Sequence, residues 1–578
     1  MSRRITLSQL LIEGARYQYR RLAVDMGGMA RTVNLKTGKP AIFHDISPRF
    51  LYGQTVKAEA ILKGHFSYAG QNLDVGTQGD PWTVAVPSTK FATWLHGFEW
   101  LNDLAVSKDR NAAIRARGLV DKWVVIYGSW NPFSWAPDVL AERLYHWLSV
   151  WSPLLTGDKL SEAAQARRNS VMRQLKRLRK TYKRTSPGII RLKAAAALAM
   201  GGARLKEKSG DFLGRGLDWL DDEIETQILP DGGHISRAPG QASEALEVLL
   251  TLDSLLQVRG VEGSRAMSRA IDRLAPVVNF FTAADGKLSN FNGSGESDKA
   301  YLKALRKAAP DITAKSFGYC PHTGYQRIEA DGTVLIVDTG KTSPRPYDAQ
   351  AHLAPLAFEL STELGRLVVN CGWNATQPQS FRRAVRMTVA HSTLILNDQS
   401  AGRLLKEGWA TKCLGEVVAV EAGPVNVKRK EQVSGTWLES SHDSYRDETG
   451  LSHRRRFYMS IEGNDIRGED SLFVPLGRVP LSNAEIPFQI RFHFHPDVRV
   501  SLSQDQQSAL LVQGGKAGWR FRTDGGPLTL EDSVYLGAGH KPVKCQQIVI
   551  AGRAFCDSDG ETRSNRVRWS FRKLEARK

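Results

Sequence analysis

A proton-transfer group beside a fixed cation stands out first: His234 closes the turn Asp231-Gly232-Gly233, and Arg237 follows on the same surface. An imidazole in a glycine-rich turn ahead of a helix can face a cleft as base or ligand, or can cap and order its own loop. Asn290, Asn292 and Glu296 share the loop LSNFNGSGE, whose amides suit sugar hydroxyls as well as plain turns. His493 and His495 alternate in RFHFHPD and so share one strand face, open to metal or substrate but equally satisfied by hydrogen bonds. The five cysteines are odd in number and lack CxxC spacing, which excludes a disulfide framework and a thiolate zinc site. No phosphate-cradling loop or dinucleotide fingerprint is present.

The elements that hold these residues fall into two halves. From about residue 5 to 310 apolar residues recur at helical spacing, as in Trp94, Leu95, Phe98 and Leu101, and then Leu144, Trp147, Leu148 and Trp151. Segments such as IIRLKAAAALAMGGARL and DFLGRGLDWLDDEIETQIL continue the pattern with breakers beside them, which predicts paired helices in a barrel or toroid. After about residue 318 the period drops to two in runs such as TVLIVD, RLVVNCG and QQIVIAG, with no helices between, which predicts antiparallel sheets stacked as a sandwich. A cleft is expected where the halves meet, near residues 300 to 350.

At 578 residues the chain exceeds one hydrophobic core. Its 79 Lys plus Arg against 60 Asp plus Glu give a formal charge of +19, a field that attracts polyanions. The basic run Arg167 to Arg184 surrounds Val171, Leu175 and Leu178 at helical intervals, so it reads as a solvated amphipathic face before a polyanion track, and nucleic acid is not the expected partner. The N-terminal apolar stretch is broken by Ser8, Gln9 and Glu13, too early for an ordinary secretion signal; core packing is the preferred reading of this first helix and interfacial membrane contact the other. No apolar stretch reaches the roughly 18 residues needed to span a bilayer.

Five segments, taken in order, resemble the heparinase II/III-like family of polysaccharide lyases: ILPDGGHISRAPG (228–240), HTGYQRIEADGTVLIVDTG (322–340), AHLAPLAFELSTELGRLVVNCG (351–372), VAHSTLILND (389–398) and HRRRFYMS (453–460). The resemblance implies a multidomain α+β chain: an incomplete (α/α) toroid over 1–315, then an antiparallel β-sandwich of several sheets over 316–578. It implies β-elimination on an acidic, uronate-containing polysaccharide without a required cofactor, in the cell envelope or periplasm, with the cytoplasm as alternative because no signal is seen. Elimination removes the C5 proton, expels the C4 oxygen and needs the C6 carboxylate neutralised. His234 and Tyr325 are then the catalytic candidates, and Arg191, Arg237, Gln241, Asn292 and Gln350 the substrate-binding ones. The family tyrosine position carries Gln241, its Asn or His helix reads Ile190-Arg191-Leu192-Lys193, and its His-x-His segment reads Gln350-Ala351-His352. A structural zinc held in some heparinases maps to His352, Asn370 and His391, where amide in place of carboxylate leaves hydrogen bonding among the three as the other reading. The departures also support a second function: binding or assembling an acidic glycan on the same scaffold without cleaving it.

Overall fold

The computed structural model describes residues 41–206, 211–309, 316–475, 485–515, 517–556 and 565–574; the expected first helix and the 315/316 boundary touch residues outside this set. Among the described residues eleven α-helices build the first half: α1 (Thr55–Leu62), α2 (Thr89–Gly97), α3 (Leu101–Val106), α4 (Arg110–Tyr127), α5 (Pro137–Ser149), α6 (Glu162–Thr181), α7 (Ile189–Arg204), α8 (Phe212–Gln227), α9 (Pro239–Arg259), α10 (Arg265–Phe280) and α11 (Lys299–Ala308). Their starts are written in the sequence. Ser88, Asp109, Ser161, Ser264 and Asp298 each accept a first-turn backbone N–H, and Pro137 and Pro239 open α5 and α9.

The basic α6 behaves as an amphipathic helix, with Val171, Leu175 and Leu178 fully buried. The inner helix α7 is buried almost all round, and α5, α8 and α9 pack on it. Its alanines permit that crowding: Gly216 of α8 lies so close to Ala199 that an added Cβ would sit 2.4 Å from the Ala199 nitrogen. These antiparallel layers form the incomplete (α/α) toroid. A small hairpin, β1 (His65–Tyr68) with β2 (Gln71–Asp74), hangs from it.

The second half is a sandwich of two antiparallel sheets. The first comprises β3 (Tyr319–Cys320), β4 (Tyr325–Ala330), β5 (Thr333–Asp338), β6 (Phe358–Thr362), β7 (Gly365–Val369), β8 (Leu394–Leu396), β15 (Glu485–Phe494), β19 (Leu528–Tyr535) and β20 (Val543–Phe555). A two-stranded ribbon, β9 (Arg403–Leu404) with β10 (Val418–Val420), lies outside it. The second runs in the order β11 (Val425–Gln432), β12 (Gly435–His442), β13 (Ser452–Ser460), β14 (Asp465–Phe473), β21 (Arg566–Lys573), β18 (Ala517–Thr523), β17 (Ser508–Gln513) and β16 (Val498–Leu502). Between the sheets Phe358 stacks on Trp569 at 5.6 Å, with Phe457, Phe492, Phe521 and Phe571 around them.

One ionic knot crosses this apolar core. Arg455 donates to Asp470 through Nε at 2.7 Å and Nη2 at 3.0 Å, and through Nη1 to the carbonyls of Leu356 and Ser392 beside the opposite sheet. His453 and the Trp569 indole share the same carboxylate at 2.7 and 2.9 Å. Burial opposes the Asp470 charge, but Arg455 and His453 outweigh it and hold the carboxyl far below its usual range. Replacing Asp470 by alanine strands a guanidinium in the core, so a loss of about 3–5 kcal/mol is expected by chemical denaturation. A loss under about 1 kcal/mol, the scale of an exposed pair, would contradict this account.

Candidate functional site

Two loops carry much of the junction of toroid and sandwich, residues 228–239 and 282–297, and the first holds the candidate residues. Asp231 Oδ2 accepts the backbone N–H groups of His322 and Thr323 at 2.8 and 2.7 Å, and its Oδ1 accepts the Thr323 hydroxyl at 2.7 Å. Arg237, held at φ 62°, donates Nε to the Thr323 carbonyl at 2.7 Å and Nη2 to Gly324 at 3.1 Å, pairs with Asp338, and lies 4.8 Å over the Tyr325 ring. Tyr325 donates its hydroxyl to the Arg237 carbonyl at 2.9 Å and accepts from Asn292 Nδ2 at 2.5 Å. His234 is 1% exposed; its Nδ1 meets Ser236 Oγ at 2.7 Å and its Nε2 meets Gln227 Oε1 at 3.0 Å. Burial lowers its pKa to about 3.

His234, Arg237, Tyr325 and Asn292 therefore do converge, but as the packed wall behind the cleft rather than its surface. Each is buried and spends its polar atoms on protein partners, which leaves none of them presented to a ligand. Arg191 does not line the cleft either; it donates to the Thr185 carbonyl in the turn before its own helix and approaches Glu223 at 4.0 Å.

The open space lies in front of this wall. A cavity of about 570 Å³ is framed by α5, α7, the start of α9, the loop 288–297 and Gln350 of the sandwich half. Here the sequence expectation finds its place: Gln241 Nε2 donates to Gln350 Oε1 at 3.2 Å across the cleft. Ser294 accepts the Gly240 N–H at 2.8 Å, and the space continues past Gly293 and Glu296 toward Tyr68, Trp373 and His540.

The floor sets Lys193, which stands on the helix of the family Asn or His, among carboxylates that the sequence reading passed over. Lys193 of α7 bonds both oxygens of Glu142 at 3.1 and 3.0 Å, and His146 reaches the same carboxylate at 3.3 Å. Burial opposes the Lys193 charge, yet Glu142, Glu244 and Glu99 overcome it and hold the ammonium above the ordinary lysine range. Glu142 is likewise pushed up by burial but drawn down to about 2 by Lys193 and His146. Glu244 is raised by burial and by Glu142, despite Lys193, and Glu247 one turn deeper is raised to about 7, chiefly by burial. The visible signal was a single lysine interrupting the buried alanines of RLKAAAALAM.

The histidine cluster satisfies itself. His352 Nδ1 faces His391 Nε2 at 2.9 Å, His391 Nδ1 meets the Met387 carbonyl at 2.9 Å, and the Gly293 N–H reaches His352 Nε2 at 3.1 Å. With Nδ1 protonated on both rings these contacts hold together, and the Asn292 N–H, 3.2 Å from His352 Nδ1, then finds no acceptor in that nitrogen. Asn370 Oδ1 accepts the Ser392 N–H at 3.1 Å. As arranged, His352, Asn370 and His391 do not fit a zinc ion, and among the described residues no group of three or more His, Cys, Asp or Glu is placed to hold a metal. His493 is closed off by Ser533 at 2.8 Å and the Val389 carbonyl at 3.1 Å, while His495 faces Glu296 at 3.4 Å.

Comparison with known proteins places these features on a familiar scaffold. Residues 313–570 match the family model described as heparinase II/III-like, C-terminal. The chain is 34% identical over 527 residues to the FtsZ-localized protein C of Caulobacter vibrioides, covering 89% of this chain and 88% of that one. Among solved structures, heparinase III superposes with a TM-score of 0.67 at 16% identity, covering 96% of this chain and 91% of the other. A heparan sulfate lyase mutant from Pedobacter heparinus gives 0.61 at 15% identity, covering 98% and 89%. At such identities the structural likeness is one of fold.

Two outcomes follow from the junction. Arg237→Ala leaves Asp338 buried without its cation, and about 3–5 kcal/mol of stability should be lost in a denaturant titration. His234, neutral in the fold, contributes stability that is complete above its unfolded pKa near 6.5 and drains away as pH falls toward about 3. The stability gap between wild type and His234→Gln should accordingly narrow as pH drops from 7 to 4; a gap that stays constant would place the imidazole outside the core.

Proposed function

The chain belongs to the heparinase II/III-like family, and on that scaffold we propose that it binds a saccharide chain in the cleft between toroid and sandwich without cleaving it by β-elimination. The observation that carries this reading is the cleft wall itself. Where the resemblance calls for proton-transfer groups the cavity presents the Gln241 and Gln350 amides, and His234 and Tyr325 are sealed behind it. An amide neither takes the C5 proton nor protonates the leaving oxygen.

The floor argues the same way. Among the described residues Lys193 is the one lysine or arginine lining the cleft beside Glu142 and Glu244, and it is bound to the first of them. A uronate carboxylate brought within about 4 Å of one of those carboxylates meets a repulsion of roughly 4 kcal/mol at an effective dielectric constant near 20. Hydroxyl-rich neutral or amino sugars suit this lining, because carboxylates and amide oxygens accept from hydroxyls while the amide N–H groups and Lys193 donate. The finer alternative, a lyase acting on an acidic polysaccharide, keeps the support of the fold and of the named functions of its structural neighbours.

The two readings separate in one set of measurements. Neutral and amino-sugar oligosaccharides should bind by calorimetry, and Gln241→Ala/Gln350→Ala should weaken the affinity about tenfold, the worth of one good hydrogen bond. No ultraviolet absorbance from a 4,5-unsaturated product should grow with heparan, alginate or hyaluronan. Growth of that absorbance, abolished by Lys193→Ala, would overturn the proposal in favour of the lyase. The relative named for FtsZ also supplies a location: a fluorescent fusion of this chain is expected to gather with FtsZ, and an even distribution along the cell would reject that assignment.

A further inference from the structure

The eight-stranded sheet turns Val567, Trp569 and Phe571 toward the sandwich core and leaves its other face open. On that face the ladder register sets side chains in rows across the strands. Trp437 stands opposite Tyr458, Tyr458 opposite Arg467, Arg467 opposite Ser570, and Ser570 opposite Arg522. A neighbouring row brings Asp465, Arg572 and Arg520 into line. Together they line a concavity of about 1040 Å³ with seven basic side chains against three acidic ones.

Folding accounts for only some of that charge. Arg456 and Arg568 pair with Glu439 and Glu469, and Arg467 with Asp465. Among the described residues no carboxylate lies within ion-pair distance of Arg520, Arg522, Arg572 or Lys573. Arg520 and Arg572 are directly opposed on adjacent strands, an arrangement that costs stability. At the other end of the row Trp437 is 45% exposed and packs its ring 4.6 Å from Tyr458.

We propose that this face is a second binding site, separate from the cleft, for an acidic polysaccharide carrying carboxylate or sulfate groups. The row from Trp437 to Arg522 crosses five strands, about 19 Å at the ordinary strand spacing of about 4.8 Å. A stiff anionic sugar chain laid across the strands sets its acid groups against the guanidinium forks, which donate two parallel bonds to a carboxylate or sulfate. The C–H face of a pyranose ring packs on the exposed Trp437 indole, the role of an aromatic that is apolar in body and polar at its edge. An extended peptide would pair with a strand edge instead of crossing the face.

The test uses the full chain and two probes, a sulfated heparin-type glycan and a polyuronate, titrated at several salt concentrations. Arg520→Glu/Arg522→Glu/Arg572→Glu should weaken binding of at least one probe tenfold or more, by about the loss of one charge-assisted contact or several, and flatten its salt dependence. Lys299→Glu/Lys303→Glu/Lys307→Glu, with the same change in net charge on exposed α11, should leave the affinity within about twofold, less than one hydrogen bond is worth. Trp437→Ala, which alters no charge, should weaken binding by itself, and carries the test if the triple variant does not fold. Gln241→Ala/Gln350→Ala should not disturb it, so the two sites fail or succeed separately. Equal losses in both charge-reversed variants, no effect of Trp437→Ala, or tighter binding of duplex DNA or an acidic peptide than of either glycan would each overturn the proposal.

Discussion

The pairing of Arg237 with Asp338 is the interaction on which the architecture turns. It joins the last loop before α9 to the end of β5, and the surrounding groups are arranged to satisfy what remains of both ions. Burial opposes the guanidinium charge, but Asp338 and Tyr325 hold its pKa above the usual arginine value. Such a buried pair is weak as a source of net stability and strong as a specifier, because either partner left alone is costly. With the Arg366 and Arg327 contacts to residues 280–288 it ties the helical ring to the stacked sheets, between which Gln241 meets Gln350.

The same economy of proton chemistry runs through the junction. His234, His352, His391 and His493 are all held neutral by burial, with pKa values pushed below the ordinary imidazole range. His234, His352 and His391 lie on segments where the resemblance implies chemistry or metal, and all four are occupied by serine, glutamine, histidine or backbone partners. Of the titratable groups that line the cleft, Glu142, Glu244 and Lys193 belong to the toroid helices and neutralise one another only in part, and Glu296 is taken up by Lys287, Arg366 and Tyr535.

Much of the architecture was legible because periodicity is a backbone property. The shift from helical spacing to alternation near residue 318 matches the passage from α11 to β3, and DFLGRGLDWLDDEIETQIL reads directly as α8. The site was legible only by position. The turn at Asp231 announced a junction, and Gln241 and Gln350 stood out against the family pattern; they meet at 3.2 Å. What could not be read was burial at the wall: nothing local reveals that Gln227 at the end of α8 would cover His234, or that Thr323 would accept from Arg237. Glu142 and Glu244 escaped for a related reason, since a carboxylate on an amphipathic helix looks like an ordinary solvated face until the ring closes around it.

The loop 228–239 takes its partners from residues made much later. Asp231 waits for the amides of His322 and Thr323, Arg237 for Asp338, and the Ser236 carbonyl for the hydroxyl of Ser343. A ribosome therefore releases nearly the whole helical ring before the groups that finish its mouth exist, and the first hairpin of the sandwich acts as the closing piece. Until then Arg237 has no reason to keep its left-handed backbone, so the cavity takes shape only during synthesis of the second half.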